Sequence, residues 1–161
     1  MLFITQWHST TGILLMAAVL GVALWRTGRH WWLLSLVLSV PGGLLLNVAV
    51  KNLVRRPRPH FDDAFLTLNT YSFPSGHTAG ATVFYGFLAV FLWTRFHAGG
   101  WRFAIGAAAA GMVLLVGVSR MYLGVHYFTD VIGAIAEGLL WLALCFYGVR
   151  ILRRRQSAVP A

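Results

Sequence analysis

The segment Ser119-Arg-Met-Tyr-Leu-Gly-Val-His-Tyr-Phe-Thr-Asp130 puts an arginine, a histidine and an aspartate at the mouth of a long apolar run, in a chain with only four acidic residues. Ionisable groups at the edge of hydrocarbon must be paired, hydrated or given a ligand, so their concentration here reads as a site. If the chain is helical from Thr129 onward, His126 and Asp130 lie four residues apart around the first turn. A carboxylate oxygen then reaches one imidazole nitrogen and fixes the tautomer. The other nitrogen is left basic, as a nucleophile or proton carrier requires, and Arg120 supplies fixed positive charge for an anion. The plainer alternative is a capping aspartate beside an interfacial histidine.

Two further stretches offer complementary chemistry. In Lys51-Asn-Leu-Val-Arg-Arg-Pro-Arg-Pro59, Lys51 stands at a helix end and Arg58 follows seven residues on in a proline-flanked extended turn. One ammonium and one guanidinium can converge there on an oxyanion. Taken alone, the stretch equally suits a juxtamembrane basic segment lying against lipid headgroups. Tyr71-Ser-Phe-Pro-Ser-Gly-His-Thr78 has the parts of an anion cradle at a helix start: a proline, the hydroxyl of Ser75, and Gly76, whose missing side chain lets backbone N–H groups approach a ligand. His77 sits in the first turn, placed to give a proton to a leaving group. Arg55 and Arg56 lie beside these positions and are candidates for substrate capture. His60, Asp62 and Asp63 read as solvated loop or as shapers of headgroup choice, and Glu137 as a buried acid that tunes Asp130 or hydrogen-bonds a neighbouring helix.

The elements that must position these groups are membrane helices. Of 161 residues, 58% are hydrophobic, and the mean hydropathy is +0.72, outside the range of water-soluble domains. Apolar segments run from about Gly12 to Trp25 (extendable back toward Phe3), Trp31 to Val50, Thr78 to Phe96, Trp101 to Val118 and Thr129 to Ile151. The expected fold is therefore an all-α integral membrane bundle of about five spans, one domain over residues 1–161, with an extramembrane loop carrying part of the site. Pro41-Gly42-Gly43 predicts a kink or close packing in the second span, while Gly80, Gly86 and Gly106 predict close helix contacts. Cys145 lies within an apolar run and reads as a small buried hydrophobe. The net charge of +9 comes from short clusters between spans rather than one basic face, which argues against nucleic acid as a partner. Arg26, Arg29, Arg95, Arg102, Arg150 and Arg153 to Arg155 fall at one set of span ends, marking that side as cytoplasmic; Trp25, Trp31, Trp32, Trp93 and Trp101 border it as an interfacial belt. The three chemical stretches then share the opposite face, which in a bacterial inner membrane is the periplasmic one.

Lys51 with six residues then Arg58-Pro59, Pro74-Ser75-Gly76-His77, and Ser119-Arg120 with five residues before His126 and three before Asp130 together resemble the three-part signature of the type 2 phosphatidic acid phosphatase superfamily. Order and spacing match throughout residues 51–130. The superfamily includes membrane lipid phosphatases, glucose-6-phosphatase, soluble acid phosphatases and vanadium haloperoxidases, and the hydropathy points to the membrane lipid branch. The resemblance implies that His126 is a nucleophile forming a phosphohistidine, that Asp130 orients it and that His77 protonates the departing oxygen. It implies that Lys51, Arg58, Arg120, Ser75 and the Gly76 N–H hold the phosphoryl oxygens. Such a site needs no metal or other cofactor, in keeping with so few carboxylates. The expected partners are membrane lipids and a lipid phosphate substrate such as undecaprenyl pyrophosphate, phosphatidylglycerol phosphate or phosphatidic acid. A lipid phosphotransferase, or a subunit that binds or transports phospholipid without cleaving it, would fit the same residues. Membrane members usually have six spans, one more than counted here, which leaves room for an additional membrane domain or a homo-oligomeric partner.

Overall fold

A computed structural model describes residues 1–60 and 70–157, so Asp62 and Asp63 lie outside the described residues. Six helices follow in order: α1 (Leu2–Trp7), α2 (Thr10–Arg26), α3 (His30–Val54), α4 (Gly76–Trp93), α5 (Gly99–Tyr122) and α6 (Phe128–Ser157). Four helices, α3 to α6, are long and apolar enough to cross a membrane. The 17-residue α2 is also apolar, and at about 1.5 Å per residue it spans roughly 25 Å, the short end of what a bilayer core accepts. The first span does not extend unbroken toward Phe3. Ser9 takes up extended backbone geometry and its hydroxyl accepts the Gly12 N–H at 3.2 Å, starting α2 afresh and setting α1 apart as a short helix of its own.

Burial ranks the helices. More than half of the most apolar window of α4 is buried, 56%, against 33% or less in α3, α5 and α6, because α4 packs against α2, α3, α5 and α6. Around it Ile13, Leu24, Val40, Leu44, Val83, Phe87 and Leu142 form the main apolar core. Trp32 presents its ring edge-on to Phe87, Phe91 and Phe146 at centroid separations of 5.9, 5.1 and 5.9 Å, so this tryptophan knits α3, α4 and α6 together inside the bundle. Trp25 and Trp101 remain exposed. Helix α3 continues through Pro41. At Gly43 a Cβ would stand 2.9 Å from Val83 Cγ1 and 3.1 Å from Trp141 Cδ1, so only a glycine lets α4 and α6 approach this closely.

The helix ends sort into two groups. At one end, Arg29 before α3 lies over the Phe91 ring of α4 at 5.4 Å, and Trp93 Nε1–H donates to the Arg102 carbonyl of α5 at 2.9 Å. At the other end stand the last turns of α3 and α5 and the first turns of α4 and α6, with α1 packed beside α5. All three stretches singled out for their chemistry meet at this second end.

Candidate active site

Each site residue owes its position to a helix terminus. Helix α3 ends where Arg55 adopts a left-handed conformation, φ 51°, and Pro57 and Pro59 carry the chain onward without helix. Lys51, one turn before that end, donates from Nζ to the carbonyls of Tyr71 at 2.9 Å and Pro74 at 2.7 Å, tying the segment before α4 to α3. An ammonium has three N–H donors, so one remains for a ligand. Ser75 is fully buried at the N-cap of α4, its N–H donating to the Asp130 carbonyl at 3.1 Å and its hydroxyl accepting from Thr78 Oγ1 at 3.0 Å. Gly76 and His77 open α4 immediately after it. Phe73 packs against α6, where a Cβ on Gly133 would come within 2.4 Å of its ring, so this glycine lets the 72–75 segment settle onto the helix.

Arg58 is held from three directions. Its Nε donates to the Thr70 carbonyl and Nη2 to the Thr70 hydroxyl, both at 2.7 Å, while Nη1 donates to the Val125 carbonyl at 2.7 Å and approaches His126 Nε2 at 3.3 Å. A guanidinium can only donate, so the Nε2 it faces carries a lone pair and the ring proton sits on Nδ1. Nδ1 points toward Asp130 Oδ2 at 3.4 Å, an approach that lacks hydrogen-bonding geometry.

His126 is buried, and its imidazole is held far below the ordinary histidine range, down to about 2. Burial is the main cause, followed by the positive charges of Arg58, Arg120, Lys51 and His77. The imidazole thus lies in the field of all four predicted basic partners. Burial likewise lowers the pKa of the Arg58 guanidinium, and Asp130 pulls it back up.

Arg120, in the last turn of α5, is only 2% exposed, yet it forms no ion pair among the described residues. Its Nη1 makes one long hydrogen bond, 3.4 Å, to Thr5 Oγ1 of α1, and its Nε has no partner. A buried cation with donors to spare has the chemistry to hold an anion.

Asp130 is fully buried in the first turn of α6 and richly supplied with donors. The Tyr127 N–H reaches Oδ2 at 2.9 Å, the Ser72 hydroxyl makes a short bond to the same oxygen, and Arg56 Nη1 pairs with Oδ1 at 2.9 Å. Arg56 and Arg55, alike in sequence, part company here. Arg56 lies 4.1 Å above the Tyr127 ring, whereas Arg55 is exposed and turns back to donate to the Asn52 carbonyl at 2.9 Å. Glu137 accepts from Asn47 Nδ2 at 2.8 Å, a cross-link between α6 and α3, with its Oε1 buried and unpartnered. All the predicted site residues therefore gather at one end of the bundle. Sequence reasoning missed Ser72, Thr70, Thr5 and the attachment of Arg56 to Asp130. No local spacing signals these, because their partners are 58, 12, 114 to 115 and 74 residues away.

Comparison with known proteins agrees with this geometry. Residues 32–154 match the PAP2 superfamily. The chain belongs to that superfamily. It is 33% identical over 156 residues to phosphatidylglycerophosphatase B of Bacillus subtilis (strain 168), covering 96% of this chain and 76% of the relative. It is 27% identical over 157 residues to the undecaprenyl-diphosphatase BcrC of the same organism, covering 95% and 75%. The crystal structure of a transmembrane PAP2 type phosphatidylglycerolphosphate phosphatase from Bacillus subtilis superposes with a TM-score of 0.79 at 30% identity, over 94% of this chain and 74% of that one. This member of the PAP2 superfamily is an all-helical membrane phosphatase, and its relatives act on phosphorylated lipids.

Proposed function

We propose that this PAP2 member hydrolyses a lipid phosphate or lipid pyrophosphate through a phosphohistidine at His126 Nε2, with no metal ion. The observation that carries this reading is the single lone pair of His126 directed into a cluster of cations, with Nδ1–H turned toward a buried carboxylate. Nε2 attacks phosphorus as the P–O bond to the leaving group breaks; His77 gives that oxygen a proton. The proton on Nδ1 stays on the ring, and Asp130 balances the charge that develops there as the N–P bond forms. Lys51, Arg58, Arg120, Ser75 and the Gly76 N–H hold the phosphoryl oxygens, so that charge spreading over them meets fixed donors. Water then attacks the phosphohistidine, returns a proton to His77 and releases inorganic phosphate. The whole chain, 1–161, serves as one catalytic unit, since α1, α3, α4, α5 and α6 each supply part of the pocket.

The lipid phosphate class follows from a phosphate site at the end of a membrane bundle, where the tail stays in the bilayer. Undecaprenyl pyrophosphate, phosphatidylglycerol phosphate and phosphatidic acid all present the required group. Arg26, Arg95, Arg102 and Arg150, at the helix ends opposite the site, support an inner-membrane location with the site facing the periplasm. The test is phosphate release in detergent micelles from all three lipids, comparing the parent with His126→Ala, with and without EDTA. At least one lipid should be hydrolysed, the variant should be silent, and EDTA should change nothing. Undiminished turnover by His126→Ala, or loss with EDTA restored by magnesium, would refute the mechanism.

A further inference from the structure

We propose that Arg56 is a positioning residue of the reaction: it anchors Asp130, and through Asp130 the imidazole of His126, rather than gathering substrate. The inference rests on the phosphohistidine reading above. Asp130 divides its two oxygens between two duties. Oδ2 faces His126 Nδ1 and takes the Ser72 hydroxyl and the Tyr127 N–H, while Oδ1 belongs to Arg56. Arg56 fixes the carboxylate by two routes. Directly, its Nη1 bridges Asp130 Oδ1 at 2.9 Å and Thr129 Oγ1 at 2.6 Å, with the guanidinium plane supported on the Tyr127 ring. Indirectly, its backbone carbonyl accepts the Ser72 N–H at 2.8 Å and so places the hydroxyl that bonds Oδ2.

The energetics show why an anchor is needed. A carboxylate with no exposed surface is costly to leave unpaired, and the nearby cations are the ones the phosphate requires. Asp130 already exerts its pull on Arg58. Without Arg56, the carboxylate would draw Arg58 toward itself and away from the Val125 carbonyl and His126 Nε2. With Arg56 in place, the Asp130 charge is held on the far side of the histidine from the phosphate.

The test measures kcat, KM and the rate of phosphohistidine formation for Arg56→Gln and Arg56→Lys, on whichever lipid phosphate the parent turns over in micelles. The expected result for Arg56→Gln is a kcat loss of about 10- to 100-fold, by analogy with the loss seen when outer hydrogen-bond partners of metal-ligating histidines are removed. KM should stay within about threefold, phosphoenzyme formation should slow in parallel, and Arg56→Lys should recover part of kcat. A raised KM at parental kcat would overturn the proposal in favour of substrate capture, and unchanged kinetics would overturn it outright. Should neither Arg56 variant fold, Thr129→Val removes only the hydroxyl that steers Nη1. It should lower kcat a few-fold at constant KM, and parental kinetics there would overturn the proposal. His126→Ala in the same series separates the two ideas. If that variant is dead while Arg56→Gln is normal, only this inference fails; if it stays active, the phosphohistidine reading fails as well.

Discussion

Arg120→Met is expected to make the ligand-free protein more stable while abolishing its activity. The guanidinium is 2% exposed, its Nε lacks a partner, its one hydrogen bond is the 3.4 Å contact to Thr5, and no carboxylate pairs with it among the described residues. Burying a cation costs several kcal/mol, and replacing buried charge with an apolar side chain of similar length recovers about 1 to 4 kcal/mol. Losing one long hydrogen bond takes back under about 1 kcal/mol. The net gain is on the order of 1 to 3 kcal/mol. Catalysis should move the other way: removing an arginine that meets transition-state charge in phosphoryl transfer lowers kcat by about 10³-fold or more. The assay is thermal unfolding in detergent at neutral pH, with and without inorganic phosphate, beside turnover of a lipid phosphate. Phosphate at 100 times its Kd should stabilise the parent by about 2.7 kcal/mol and leave the variant nearly unmoved. A variant that melts below the parent without phosphate, or that gains as much from phosphate as the parent does, would refute the idea that Arg120 is held for an anion.

The buried, neutral His126 predicts a pH-dependent stability. Because its folded pKa lies near 2 and its ordinary value is 6.5, the unfolded chain takes up a proton below pH 6.5 that the folded imidazole refuses. Its contribution is therefore present above about 6.5 and lost as pH falls toward 2, on the order of 2 kcal/mol between pH 7 and pH 5. His126→Asn should flatten that part of the melting-temperature profile; superimposable profiles would count against a neutral imidazole. At Gly133, an alanine would place its Cβ within 2.4 Å of the Phe73 ring and push the 72–75 segment off α6. Gly133→Ala should cost about 1 to 3 kcal/mol of stability and lower turnover, read by melting temperature and phosphate release, whereas parental behaviour would show that Phe73 can move freely.

Much of the architecture is legible along the chain, because a bilayer demands long apolar helices and phosphate chemistry demands particular side chains at their ends. Of the signature residues, Lys51, Ser75, Gly76, His77, Arg120 and Asp130 fall at helix termini, and Arg58 and His126 in the short connections beside them, all at one end of the bundle. The i, i+4 relation of His126 and Asp130 was readable because one helix start produces it. The break between α1 and α2 had a readable signal too, in the N-capping Ser9.

Other features were decided by packing. Trp32 stands among the interfacial tryptophans by hydropathy, yet it fills the space among Phe87, Phe91 and Phe146, since burial depends on which face of α3 meets α4. Arg55 and Arg56 are indistinguishable as letters. A left-handed turn at Arg55 sends one side chain to solvent and the other to a carboxylate 74 residues later in the chain. Which residues can bear charge or leave the helix is a local property, written in side-chain chemistry and hydropathy. Which cation finds a carboxylate and which, like Arg120, forms no ion pair among the described residues depends on distances between helix ends that exist only once the bundle has assembled.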